Sequence, residues 1–533
     1  FTGPSIYAFT LMLGVYLSGI AIGSIGISRV IDRFKEPLLA FGILELILSF
    51  LGVIGLFWFQ SVAEMAIDSY SLRMLLPTLL VVLPPTIILG LIFPTVTKCY
   101  TMSIDRAGSS ISHVYTLNTI GSIFGSLAVG FWLMPAIGSM ATICLLAGIN
   151  GILGLVIIFM VPKRSMSYAT YGLSGGLALA ILLSISVAPD PSDEVVEYQI
   201  SRLAQGNPYE IYYNKEDITS MVTSFGITHD TEEDPGKSLW VNGYGMTVLT
   251  TDTKVLAHVP IWMARKPENM LVVCFGMGTT FKSATTYDDL NVTSVELIPN
   301  VYECYPYYHE SVGELSQYDS QWVVNDGRNH LLLSQAKYDV ITIDPPPPIY
   351  GAGTVNLYTQ EFYELCKRRL SETGVLSQWF PGETPLVELK MLIKTYQSVF
   401  PNAMMWRGPE ESGCFIVASH EPIDIDAQVL VDAWKNSDVV TDLTEWKKWI
   451  SSPEEITDLF LMGPAQIEAL VGDAPILTDN NPYTEFPLTL HWLYGRSPML
   501  MNAWDQVESY REPITPFLIN AEAFIQPEAG IEN

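Results

Sequence analysis

The sequence predicts an α-helical membrane domain of six helices, then a small β domain and a larger water-soluble α/β domain built on a parallel sheet. Three observations predict this. Long apolar runs fill the first 190 residues, charge is segregated between the two halves, and strands begin to alternate with helices near residue 269.

The apolar runs span residues 6–30, 37–59, 74–94, 110–135, 139–161 and 168–188. Each reaches the roughly 20 residues that a helix needs to cross about 30 Å of hydrocarbon. The first is too long and too well flanked for a signal peptide. The chain opens on Phe1 rather than Met, which leaves room for upstream residues. The first, third and fifth connecting loops carry Arg29, Arg33, Lys35, Lys98, Arg106, Lys163 and Arg164, whereas the second carries Glu64, Asp68 and only Arg73. Positive loops stay in the cytoplasm, so the chain after the sixth helix is expected outside it. Gly121 and Gly125 form a GxxxG pair that lets helix backbones approach closely. Pro84-Pro85 is expected to kink the third helix. Glu45 lies inside the second run, where an ionisable side chain needs a partner such as Tyr115 or Asn118, or a function.

Charge separates the halves. Residues 1–188 hold 8 Lys/Arg and 6 Asp/Glu, while the remainder holds 20 and 50, within a net charge of −28. So acidic a surface argues against a nucleic-acid partner, because nothing neutralises phosphates. The six cysteines form no CxxC pair and the seven histidines show no ligand spacing, so no metal site is expected.

Pro189-Asp-Pro-Ser-Asp-Glu marks the exit into water. Residues 195–265 alternate short apolar strands with polar turns, including a hairpin turn at Asn242-Gly243. The organisation expected is a helical membrane domain over 1–190, a small β domain over 191–266, an α/β domain over 267–425 and a helical extension with an acidic tail over 426–533. In the tail region Trp434, Trp446 and Trp449 read as core residues.

The α/β segment carries the chemistry. A buried strand at 270–275 leads into Gly276-Met-Gly278 and a short helix, and a second strand closes on Glu296, 20 residues after Gly276. Small residues let a nucleoside approach a helix N-terminus, and an acid at that distance can accept the ribose hydroxyls, as in Rossmann-like sheets. Asp326-Gly327 follows a third strand and Asp344 a fourth. Both fall at carboxyl ends of strands, where ligands bind in open α/β sheets.

The segment 338–381, YDVITIDPPPPIYGAGTVNLYTQEFYELCKRRLSETGVLSQWFP, resembles the polyamine aminopropyltransferases, the spermidine synthase family, and the whole chain looks like their bacterial membrane-fused branch. Tyr115-Thr-Leu-Asn118-Thr-Ile-Gly121, Leu256-Ala-His258-Val-Pro and the stretch from Leu477 to Phe486 match that branch. The resemblance implies a Rossmann-like fold of the class I methyltransferase type and a bacterial inner (plasma) membrane location. It implies transfer of an aminopropyl group from decarboxylated S-adenosylmethionine, a co-substrate and not a tightly bound cofactor, to a small amine. By the resemblance Gly276 and Gly278 form the nucleoside loop, Glu296 holds the ribose, Asp326 beside Gly327 contacts the adenine, and Asp344 accepts the amine proton. The sequence departs from the family pattern where Cys274 replaces the first loop glycine, Met277 the loop aspartate and Pro347 a second aspartate, and Asp252-Thr-Lys254 replaces YHE.

Three functions follow as expectations: a membrane-anchored transferase that uses Asp344, a catalytically silent scaffold or accessory subunit of a membrane complex, and a transporter whose soluble domain senses its cargo. The lipid bilayer is the expected partner in all three, with complex subunits added in the second.

Overall fold

The computed structural model describes residues 6–63, 70–101, 107–162, 168–188, 191–217, 219–228, 236–309, 321–347, 349–351, 353–446, 450–486 and 503–525. Glu64, Asp68, Arg106, Lys163, Arg164, Pro189, Pro348, Trp449 and the tail beyond Ile525 lie outside the described residues. The chain divides into two compact units, Phe1–Gly206 with Glu216–Ser220, and Asn207–Lys215 with Met221–Asn533.

The first unit is helical: α1 (Ile6–Ser28), α2 (Pro37–Ala63), α3 (Tyr70–Tyr100), α4 (Ala107–Ala128), α5 (Met134–Met160), α6 (Tyr168–Ser186) and α7 (Pro191–Ala204). Among the described residues four stretches, rather than the expected six, are long and apolar enough to cross a membrane: Ile6–Ser28, Pro37–Phe57, Leu75–Tyr100 and the 54-residue Ala107–Met160. The fourth and fifth expected segments merge because α4 runs through a π-helical turn, Val129–Leu133, into α5, and only Gly138 leaves helical geometry. The sixth coincides with α6, whose stretch Tyr171–Ser186 is apolar but is not among those four. α3 continues as one helix through Pro77, Pro84, Pro85 and Pro94.

Close helix packing falls on other glycines than those expected. A Cβ on Gly19 would sit 2.0 Å from Thr86 Oγ1, and one on Gly90 would sit 2.3 Å from the Ile20 carbonyl oxygen, so α1 and α3 meet through bare backbone. At Gly121 and Gly125 a Cβ would meet nothing within 4 Å. They lie on α4, whose Leu117 and Phe124 are exposed. Glu45 is buried, whereas Tyr115 and Asn118 are exposed on α4 and do not hydrogen-bond to it. Lys98 pairs with Asp32 at 2.7 Å, which holds the first and third connecting loops on the same side of the unit.

The second unit opens with a meander, β1 (Tyr209–Glu216), β2 (Met221–Ile227), β3 (Lys237–Val241) and β4 (Tyr244–Val248), paired in that order. Asn242 (φ 53°) and Gly243 (φ 74°) make the tight β3–β4 turn, whose two left-handed residues match the strand twist. The expected strand pattern over 195–265 holds only in its middle, because α7 precedes it and α8 (Thr251–Met263) follows it. The β-branched residues and Pro260 of α8 disguise a helix that is enclosed on nearly every side, since almost every residue from Thr251 to Trp262 is buried.

The main sheet comprises β5 (Asn269–Val273), β6 (Asn291–Glu296), β7 (Gln321–Val324), β8 (Tyr338–Ile343), β9 (Leu370–Pro381), β10 (Met404–Arg407) and β11 (Gly413–Ser419). A two-residue strand β12 (Ile425–Asp426) pairs elsewhere, and β13 (Phe460–Met462) joins the sheet at its edge. The order is β13-β10-β11-β9-β8-β5-β6-β7. β7, β6, β5, β8 and β9 are parallel, and β11 runs antiparallel between β9 and β10. Apart from β13, this is the strand order of a class I methyltransferase-type Rossmann-like sheet.

The connecting helices are α9 (Thr279–Ala284), α10 (Pro299–Glu303), α11 (Tyr305–Tyr308), α12 (Gly327–Leu333), α13 (Gln360–Arg369) and α14 (Leu386–Val399), followed by α15 (Ala427–Ala433), α16 (Ser437–Thr444), α17 (Pro453–Asp458) and α18 (Pro464–Val471). The central strand β5 feeds two cores, Met270 and Val272 on one face with α8 and α9, and Leu271 and Val273 on the other with α13 and α14. Burial on both faces is why its sequence is continuously apolar rather than alternating.

A candidate nucleoside site at the carboxyl ends of the parallel strands

β5 lies between β6 and β8, so the chain leaves it to one side and returns on the other. The crevice beyond the carboxyl ends of β5 and β8 is therefore the topological switch point, where helix-connected loops diverge and leave room for a ligand. All six residues predicted from sequence lie at this end of the sheet: Gly276, Gly278, Asp326 and Asp344 on loops, Glu296 at the end of β6 and Gly327 at the start of α12.

Residues 274–278 form the turn into α9, with positive φ at Cys274 (69°), Gly276 (55°) and Gly278 (78°). Gly278 is doubly constrained, because a Cβ there would also lie 2.4 Å from Tyr305 Cδ2. Glu296, the last residue of β6, pins this turn: its Oε2 accepts from Phe275 N at 2.9 Å and its Oε1 from Ile298 N at 3.0 Å. Burial pushes its carboxyl up, and the backbone donors offset part of that shift.

Asp326 caps α12, accepting from Asn329 N at 2.8 Å through Oδ1. Gly327 beside it is a packing necessity, since a Cβ would lie 2.4 Å from Val273 Cγ1. The exposed apolar side chains of Leu297 and Val324 close strands β6 and β7.

Asp344 follows β8 and donates its backbone N–H to the Val273 carbonyl at 3.2 Å. Among the described residues its carboxylate has no hydrogen bond or ion pair. Burial, reinforced by the Asp252 carboxylate, pushes its pKa up to about 7. The Cys274 thiol is driven well above its usual range by burial first and then by Glu296, Asp344 and Asp326, which places all three acids around one point.

Asp252 is buried at the start of α8, where it accepts from Glu410 N at 2.6 Å and from the Ser412 hydroxyl. Met277, at the position of the family's loop aspartate, is buried in the core, and Pro347 offers no charge. Arg328 grips Asp479 in a bidentate pair at 2.7 and 2.6 Å, so the late Leu477–Phe486 stretch is a strut against α12.

Sequence reading missed a buried polar network beside the loop, involving Lys254, His258, Lys282, Ser283, Asp442 and Glu445. Asp442 Oδ2 accepts from Ser283 Oγ at 2.6 Å and bonds His258 Nε2 at 3.0 Å. The serine thus contacts the acid and not the imidazole, an arrangement without nucleophilic-triad geometry. Lys254 and His258, one turn apart on a helix whose remainder from Val255 to Met263 is apolar, were the available signal.

Residues 250–406 match the family model described as the spermine/spermidine synthase domain. This chain carries a spermine/spermidine synthase domain. Over 213 residues it is 28% identical to the polyamine aminopropyltransferase of Bacillus mycoides, covering 37% of this chain and 75% of the relative. It is 23% identical to polyamine aminopropyltransferase 1 of Streptomyces coelicolor over 388 residues, 70% of this chain and 69% of the relative. That second match is longer than everything after residue 190, so it runs from the synthase domain into the helical unit. A solved spermidine synthase in complex with the transition state analogue AdoDATO is 20% identical, with a TM-score of 0.40 over 49% of this chain and 87% of that one.

Proposed function

We propose that the second unit binds a nucleoside of the decarboxylated S-adenosylmethionine type and transfers its aminopropyl group to a small amine. The observation that carries this reading is Asp344, an acid at the switch point with no partner among the described residues, whose pKa of about 7 lets it both accept and release a proton at neutral pH. Glu296 would hold the ribose, and Leu297 and Val324 would flank the base near Asp326. The amine nitrogen, freed of its proton by Asp344, forms a bond to the aminopropyl carbon. The carbon–sulfur bond breaks, its electron pair goes to sulfur, and neutral methylthioadenosine leaves.

We further propose that the helical unit anchors the chain in a bacterial inner membrane. The loop charges of the sequence favour an extracytoplasmic α/β unit. A second reading, a catalytically silent membrane-bound scaffold, is favoured by the two lost carboxylates at Met277 and Pro347. Removing charges that each hold an ammonium costs about 2–5 kcal/mol apiece.

Calorimetry on the full chain in mild detergent, with methylthioadenosine and decarboxylated S-adenosylmethionine, separates the readings. A transferase binds both, loses affinity in Glu296→Gln, and in Asp344→Asn keeps binding while losing turnover by roughly 10²–10⁴-fold. A folded chain that binds neither at millimolar concentration leaves the scaffold.

A further inference from the structure

The C-terminal extension reaches the nucleoside loop through a stack of side chains that no role above uses. His309, buried just after α11, bonds through Nε2 to the Met277 carbonyl oxygen at 3.0 Å, inside the 274–278 turn. The acceptor is a carbonyl, so Nε2 carries the hydrogen. Burial, reinforced by Lys282, lowers the imidazole pKa to about 3, so the ring is a neutral, fixed donor at any working pH. His309 stacks on Trp446 with centroids 6.2 Å apart and planes 25° from parallel. Lys254 Nζ sits over the same indole, 3.7 Å from its centroid, and is fully buried. Glu445 holds both Lys254 at 3.3 Å and Lys282 at 2.7 Å, and Asp442 ties in α9 through Ser283.

The backbone of Trp446 is itself unusual. Its φ is +77°, a conformation that costs a bulky residue energy and persists only where the surroundings enforce it. Two contacts therefore hold the turn from below. Tyr305 packs against the bare Cα of Gly278, and His309 fixes the carbonyl of Met277. One ring contact backs the second of these from residue 446, beyond the matched domain.

We propose that His309 and Trp446 are positioning residues of the nucleoside site: Trp446, braced by Lys254, holds the imidazole that sets the loop carbonyl. The inference rests on the nucleoside reading of that loop. It makes the C-terminal extension part of the binding unit, with Met277 contributing its backbone where the family places a side-chain carboxylate.

The test is methylthioadenosine binding to the full chain in detergent, well below the melting temperature, for wild type, His309→Ala, Trp446→Ala and the double variant. Each single change weakens binding by about tenfold, the equivalent of one lost buried hydrogen bond. The double variant binds no more weakly than the worse single one, because both act through one contact. Trp446→Phe restores binding to within about threefold, since the stack survives. Hydrogen exchange in residues 274–283 accelerates in both single variants while distant peptides keep their rates, which general destabilisation would not produce. If Trp446→Ala does not fold, His309→Ala and Trp446→Phe still decide by the same two readouts.

The inference is overturned if wild-type binding falls in Glu296→Gln yet is unmoved in folded His309→Ala. It is also overturned if the two losses multiply to about a hundredfold. Wild type that binds no nucleoside overturns the nucleoside reading itself and this inference with it.

Discussion

The two sides of the crevice are built differently. On the proposed nucleoside side four of the five predicted residues also have structural work. Glu296 pins the Phe275 and Ile298 amides, Asp326 caps α12, and Gly278 and Gly327 are wedged against Tyr305 and Val273. On the proposed amine side Asp344 has no side-chain partner among the described residues, and its burial beside Asp252 works against its own ionisation. Substitutions on the first side should cost stability before they cost chemistry, and on the second side chemistry alone. A group whose removal stabilises the fold is being kept for some other reason, and function is the usual one.

The largest stability effect expected is Gly278→Ala. The new Cβ must occupy space 2.4 Å from Tyr305 and 2.7 Å from Phe275, at a φ that alanine disfavours. A loss of about 3 kcal/mol is expected, read as a lower melting temperature together with lost nucleoside binding. A melting temperature near wild type would show that the turn is softer than its packing implies, and the contrast between the two sides would collapse.

Next in size is Asp344→Asn, with the opposite sign. Asp344 stays protonated in the folded chain up to about pH 7 but ionises near pH 4 once unfolded. Between those values the folded state holds the extra proton, so wild-type stability falls as pH rises and the deficit is complete above about 7. Asparagine has no such deficit. The variant should match wild type below pH 4 and exceed it by about 2 kcal/mol at pH 8, a figure already reduced for the partial exposure of the side chain. Melting temperatures across that pH range test it, and a pH-independent difference would mean that Asp344 is normally ionised and paired.

A smaller effect separates the two duties of Asp326. Asn329 N needs only an acceptor oxygen, which asparagine keeps, so Asp326→Asn should hold its stability while Asp326→Ala loses about 1 kcal/mol. If the second carboxylate oxygen accepts from a base amino group, both variants should bind methylthioadenosine more weakly. Equal binding by all three proteins would confine Asp326 to capping.

Much of the α/β unit was legible because its signals are local. Continuous apolar strands, the 20-residue step from Gly276 to Glu296, and acids at strand ends all survive reading one stretch at a time. What failed depends on distant partners. α8 reads as strand because burial on all sides erases helical periodicity. Gly19 and Gly23 pack where Gly121 and Gly125 do not, although both pairs share the same spacing, because only a facing helix makes a glycine useful. Asp442, Glu445 and Trp446 lie about 190 residues from Lys254, beyond any local pattern.

The smallest prediction concerns Cys274, which lies on the nucleoside side yet breaks its rule of serving the fold. It holds φ +69° where the family has glycine, and its thiol is crowded by three carboxylates. A non-glycine residue in the left-handed region costs about 1–2 kcal/mol, while glycine carries a larger entropy loss on folding of about 0.5–1 kcal/mol. Cys274→Gly should therefore raise stability by no more than about 1 kcal/mol, and it leaves the turn, the Glu296 contacts and nucleoside affinity in place. Destabilisation would instead mean that the sulfur fills space the turn needs. Cys274 would then join Gly278 and Glu296 as a residue that shapes the site by holding up the fold.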